Sequence, residues 1–135
     1  MRRTIAIFVA ALALGLVSTS AARADELPTC SVHANAPVVT LNGTTATGFG
    51  TGANVCSADV SLNVVGVVVS ILGGSSNANG MHCQNCSSVS ATAGPALGAQ
   101  AVFTCATTKA SGSAAGAVTA VPFTYETYCI PPVIP

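Results

Sequence analysis

Cys56–Leu72, CSADVSLNVVGVVVSIL, is the stretch that decides the fold. Val60, Leu62 and Val64 alternate with Ser61 and Asn63, which predicts a β-strand with one apolar face. Beyond Val64 the phase flips, and Val65, Val67, Val69 and Ile71 carry the apolar positions on odd numbers. Gly66 sits at the flip. A β-bulge there restores the facing, because an extra residue changes side-chain parity. A central strand buried on both faces accounts for the same pattern without a bulge. In either case Val64–Ile71 lacks charge and proline and is dense in β-branched residues. It reads as the central strand, and as an aggregation-prone segment once exposed.

Working outward, no segment shows helical periodicity. Pro37–Leu41 predicts a first strand, Asn42-Gly43 a turn, and Thr44–Phe49 a strand pairing back. Gly50–Asn54 reads as a loop, as do Gly73–Gly80 and Lys109–Gly116. Ser87–Thr92 and Ala99–Thr108 flank Ala93-Gly94-Pro95 and read as a hairpin. Ala117–Cys129 reads as the last strand, placed at an edge by Pro122, and the tail from Ile130 as extended. Five to seven short strands predict an all-β fold, a small antiparallel β-sandwich or barrel. A β-solenoid is the alternative, but no fixed period supports it.

The chain has 135 residues, 50% hydrophobic, 6% charged and 4% aromatic. Its start, MRRTIAIFVAALALGLVSTSAARA, carries the parts of a signal peptide: Arg2 and Arg3, an apolar run over Ile5–Val17, and the small residues of Ala22-Arg23-Ala24. Cleavage is expected after Ala24, leaving residues 25–135 as a single β-rich domain. In that segment Lys109 is the only Lys or Arg, against Asp25, Glu26, Asp59 and Glu126. So little positive charge excludes a basic nucleic-acid binder, and no second apolar run predicts a membrane span. The localisation expected is secreted, extracellular or at the cell surface, with the periplasm as a variant. The Ala- and Val-rich style reads as bacterial, so the sequons at Asn42 and Asn85 are assigned no glycan.

All six cysteines (Cys30, Cys56, Cys83, Cys86, Cys105 and Cys129) lie beyond the signal. An even count in a small exported chain reads as a disulfide framework, here needed because Phe49, Phe103, Phe123, Tyr125 and Tyr128 are the only large rings available to the core. The pairing stays open. Cys83 and Cys86 bridge each other, or each reaches a strand cysteine such as Cys56 or Cys105.

The densest cluster is Met81-His82-Cys83-Gln84-Asn85-Cys86. Besides a bridge, it offers a redox dithiol, which wants a helix N-terminus, or a metal site using His82, Cys83 and Cys86 with His33. Ser87 follows the second cysteine where a c-type haem motif needs His. A Ser–His82–Asp59 triad lacks a nucleophile elbow, and the glycines at 48, 50 and 52 follow no strand-to-helix phosphate pattern. Three functions therefore compete. The first is a non-catalytic domain, without cofactor, with a structural, surface-associated or binding role; low charge favours surface contact or self-association. The second is a secreted protease inhibitor presenting Met81 or Lys109 on a disulfide-anchored loop, since a preordered loop loses little entropy on binding. The third is a metal or redox protein built on Cys83 and Cys86. Thiol counting without reductant separates the third from the others, and a protease panel separates the second from the first.

Overall fold

The computed structural model describes residues 26–130; the expected signal peptide, its cleavage site and the tail beyond Ile130 lie outside them. The strands in chain order are Thr29–Ala34 (β1), Val38–Leu41 (β2), Thr45–Ile71 (β3), Ser76–Ala99 (β4), Cys105–Ala115 (β5), Val118–Val121 (β6) and Phe123–Cys129 (β7). One 3-10 turn, Gln100–Val102, links β4 to β5. The fold is all-β and disulfide-stapled, as the sequence predicts.

The 27-residue β3 and 24-residue β4 form one long antiparallel ribbon that turns a corner. Pairing breaks register between Val55 and Val60, where Ser57, Ala58 and Asp59 are exposed, and Asn85 on β4 takes φ 53°. The first half of β3 lies in one layer with β1, β2 and the second half of β4. Its second half lies in the other layer, between the first half of β4 and β5, with β7 beyond. The strand path is β6-β1-β3-β5-β7, and its two ends are joined in sequence through Pro122 alone. The sheet therefore curls into a nearly closed barrel. Proline has no N–H for a ladder, so the ladder breaks at Pro122: β6 pairs with β1 and β7 with β5. The β1–β6 pair is parallel, a departure from the purely antiparallel expectation.

Val64–Ile71 is the paired central strand that its composition predicts, with β4 on one side and β5 on the other. The phase flip is not at Gly66. Buried positions of β3 are even from Ala46 to Val60 and odd from Asn63 to Ile71, and the switch falls at exposed Ser61 and Leu62. Leu62 thus points out and Asn63 in, the reverse of the apolar alternation, because the corner changes the facing. Val64, Gly66 and Val68 are half-buried, so the second half of β3 has one fully buried face.

The loop reading of Gly50–Asn54 is also overturned. Gly50 and Gly52 lie on the inner face of β3, where a Cβ would stand 2.6 Å from Thr108 Oγ1 and 2.7 Å from Ala110 Cβ. Glycine is needed there because the two layers touch. Strand replaces the expected loop over most of Gly73–Gly80 and Lys109–Gly116, and Ala93-Gly94-Pro95 is a register irregularity inside β4 rather than a hairpin turn. Ser, Asn, Gly and Ala have weak preferences of their own. Pairing to the apolar β3 decides their state, a tertiary override of propensity. The hairpin at Asn42-Gly43 forms as expected, and β1 is a strand that composition did not show.

The core between the layers is aliphatic and small: Val32, Val65, Val67, Val69 and Ile71 pack with Ala46, Ala91, Ala93, Ala96, Ala106, Ala110 and Phe103. Cys30, Cys56 and Val60 form a second cluster.

Candidate functional site

The three bridges are Cys30–Cys56, Cys83–Cys86 and Cys105–Cys129, and no cysteine among the described residues is free. Two are cross-strand staples between directly opposed residues, with Cα–Cα 3.9 Å on β1–β3 and 4.1 Å on β5–β7. The neighbouring bonds, Asn35 N–H to Thr51 C=O and Gly112 N–H to Pro122 C=O, place both staples at non-hydrogen-bonded positions of their ladders. There opposing strands come closest, so a short cross-link fits. Cys83–Cys86 closes over the corner of β4, where Asn85 sits in the left-handed region.

In this bridged state Cys83 and Cys86 offer no thiolate to a metal, and the pair stands as the oxidised half of a dithiol couple. The histidines do not converge either. His33 lies opposite Ala53 on the outer face of one layer, and His82 opposite Val64 on the outer face of the other. Among the described residues no group of three His, Cys, Asp or Glu side chains is positioned to hold a metal. The expected loop placement of Met81 and Lys109 is corrected. Both lie within strands, Met81 opposite Val65 and Lys109 between Val68 and Tyr125, so neither is presented on a loop.

The structure instead gathers exposed chemistry on β7. The composition predicts that the rings fill the core, yet of the five only Phe103 is buried. Phe123, Tyr125 and Tyr128 are 52%, 56% and 45% exposed, and Phe49 is also out. Phe123 and Tyr125 share the outer face with Lys109, Ser111, Thr107 and Thr127. Their rings meet edge to face at a centroid distance of 5.9 Å, and Lys109 Nζ stands 5.7 Å from the Tyr125 centroid, a cation–π contact. Among the described residues the one Lys or Arg and the one contacting aromatic pair thus lie side by side on the outer face. The pattern stands in FTYETYC: Phe123 and Tyr125 alternate with the polar Thr124 and Glu126, while Tyr128 shares the parity of Thr124 and Glu126 and is exposed there.

A second feature is internal. Asn54, Asn63 and Thr108 are fully buried. Asn54 Nδ2 donates to Val64 C=O at 3.4 Å and Ser113 C=O at 3.3 Å, and Asn63 Nδ2 donates to Asn54 C=O at 3.4 Å. The Oδ1 atoms of both asparagines have no protein partner. These amides tie the two layers together beside the Cys30–Cys56 staple. Compared with known proteins, the chain matches no family model, no curated sequence and no solved structure.

Proposed function

We propose that this chain is an exported, non-catalytic contact domain, retained at the cell envelope through the outer face of β5 and β7. The observation that carries the reading is the exposure of Phe123 and Tyr125 beside Lys109. A ring kept in water forgoes about 1.5–3 kcal/mol of burial energy, and this small core has few rings to spare. Exposed aromatics with an adjacent cation and hydroxyls are the side chains that dominate contact surfaces. The bridges support the same reading, since cross-strand staples hold an aromatic-poor domain rigid in an oxidising compartment.

The test is fractionation of cells producing the wild type or the Phe123→Ala/Tyr125→Ala variant. The wild type is expected to sediment with envelope material. The variant is expected in the soluble fraction with an unchanged unfolding midpoint, because both side chains are exposed. Equal distribution of the two proteins would remove this face as the contact surface. Recovery of the wild type in the cytoplasm with free thiols would remove the exported role altogether.

A further inference from the structure

The ladder directions leave one long edge open. Ile71 N–H donates to Ser75 C=O at 3.0 Å, which fixes the odd residues of Ser76–Gln84 as those bonded to β3. The backbone N–H and C=O of the even residues, Ala78, Gly80 and His82 among them, therefore face away from the sheet. In the other layer Asn35 N–H donates to Thr51 C=O, so Gly50 and Gly52 bond to β4, and Ser88 and Thr92 turn their backbone outward in the same way. Natural sheets guard such edges with charge, proline or cover. Ser76–Gln84 contains no Asp, Glu, Lys, Arg or Pro.

One side chain guards it in part. Asn79 Oδ1 accepts the N–H of Gly80 at 2.9 Å, and Asn79 Nδ2 donates to Thr92 C=O at 2.8 Å. A single carboxamide thus occupies an outward donor of one layer and an outward acceptor of the other. It stands where a peptide group of an added strand would stand. Ala78 and His82 on either side have no such cap among the described hydrogen bonds.

We propose that the free edge of Ser76–Gln84 is a strand-addition site for a second copy of this chain, held in check by the Asn79 amide. A second copy is the matching occupant because antiparallel pairing about a two-fold axis is self-complementary: each edge offers the same outward donors and acceptors. Pairing the segment with itself brings no like charges together, since it has none, and the glycine near its middle leaves room for the approach. The added strand extends the layer holding the second half of β3, and this edge lies across that layer from β7, so the site is independent of the aromatic face.

Sedimentation of the oxidised protein over a concentration series reaching about 1 mM tests this. Weak, reversible dimerisation of the wild type is expected. Asn79→Ala frees the Gly80 donor and the Thr92 acceptor and should tighten the dimer by about tenfold or more. His82→Pro deletes an outward N–H that bonds nothing in the sheet, so it should preserve the fold and abolish dimerisation, alone and combined with Asn79→Ala. Should Asn79→Ala fail to fold, amide exchange on the wild type carries the test: Gly80 is expected to be protected relative to Ala78 and His82, and all three to gain protection as concentration rises. Monomers throughout for both wild type and Asn79→Ala, association that His82→Pro leaves intact, or exchange independent of concentration would each overturn the proposal. Loss of dimerisation in Phe123→Ala/Tyr125→Ala would assign it to the aromatic face instead.

Discussion

The bridges should contribute very unequally to stability. A disulfide acts mainly by restricting the unfolded chain, and the restriction grows with the loop it closes. Cys105–Cys129 spans 24 residues of sequence and Cys83–Cys86 only 3. The loop-entropy relation gives about 3.4 kcal/mol for the first and about 1.6 kcal/mol for the second. None of these four cysteines is a buried residue, so alanine replacement adds little packing loss. The expected gap between Cys105→Ala/Cys129→Ala and Cys83→Ala/Cys86→Ala is therefore about 2 kcal/mol, on the order of 1 M in urea midpoint. Cys30–Cys56 spans 26 residues, worth about 3.5 kcal/mol, and it also fills the second core cluster, so its removal should be the most costly. Urea unfolding followed by far-ultraviolet circular dichroism, with the remaining bridges verified by mass, measures all three. Equal losses for the long and short bridges, or a larger loss at Cys83–Cys86, would refute the reasoning: the staples would then act through native-state contacts rather than chain entropy.

Val67 is 1% exposed in the central strand, so Val67→Asp should cost about 3 kcal/mol or more, read as a lower urea midpoint of the oxidised protein. The same change should slow thioflavin-positive aggregation of the reduced chain, in which Val64–Ile71 is exposed. Gly50→Val meets Thr108 and Val69 and should cost about 1–3 kcal/mol by overpacking, whereas Gly66→Ala, whose Cβ has its nearest neighbour at 3.6 Å, should leave the midpoint almost unchanged. N-terminal sequencing of the exported protein is expected to begin at Asp25, and a start at Met1 would contradict the cleavage pattern at Ala22-Arg23-Ala24.

What the sequence made legible depended on how much each residue type commits to one state. Val64–Ile71 is β-branched and uncharged, and its role as the central strand followed from that alone. Asn42-Gly43 requires the left-handed backbone of a tight hairpin, and the structure places Gly43 at φ 96°. Gly50–Asn54, Ser76–Gly80 and Lys109–Ala115 are made of residues that serve loops and strands alike, and their pairing with β3 was invisible without the fold. The aromatic face failed for a related reason. Rings are core residues by default, and only the Thr124 and Glu126 alternation on β7 argued otherwise.

The corner of the β3–β4 ribbon is where these threads meet. Folding one ribbon into two layers demands a change of facing, and a purely apolar strand would permit that change at any of several valines. Asn63 restricts it. Its amide reaches Asn54 C=O only if Leu62 turns outward and Asn63 inward, so the slip of one residue that would bury Leu62 would also strand the amide. Asn54 meets Val64 and Ser113 by the same logic, which fixes β5 against both halves of β3. The valines thus drive the layers together, glycines on the first half of β3 set how closely they approach, and two buried amides select the register. Replacing Asn63 by Leu should accordingly preserve a compact β-rich chain while broadening its amide NMR spectrum, because burial energy would remain and the choice of register would be lost. A sharp, wild-type-like spectrum from that variant would show that the valines and the Cys30–Cys56 staple fix the register without the amides.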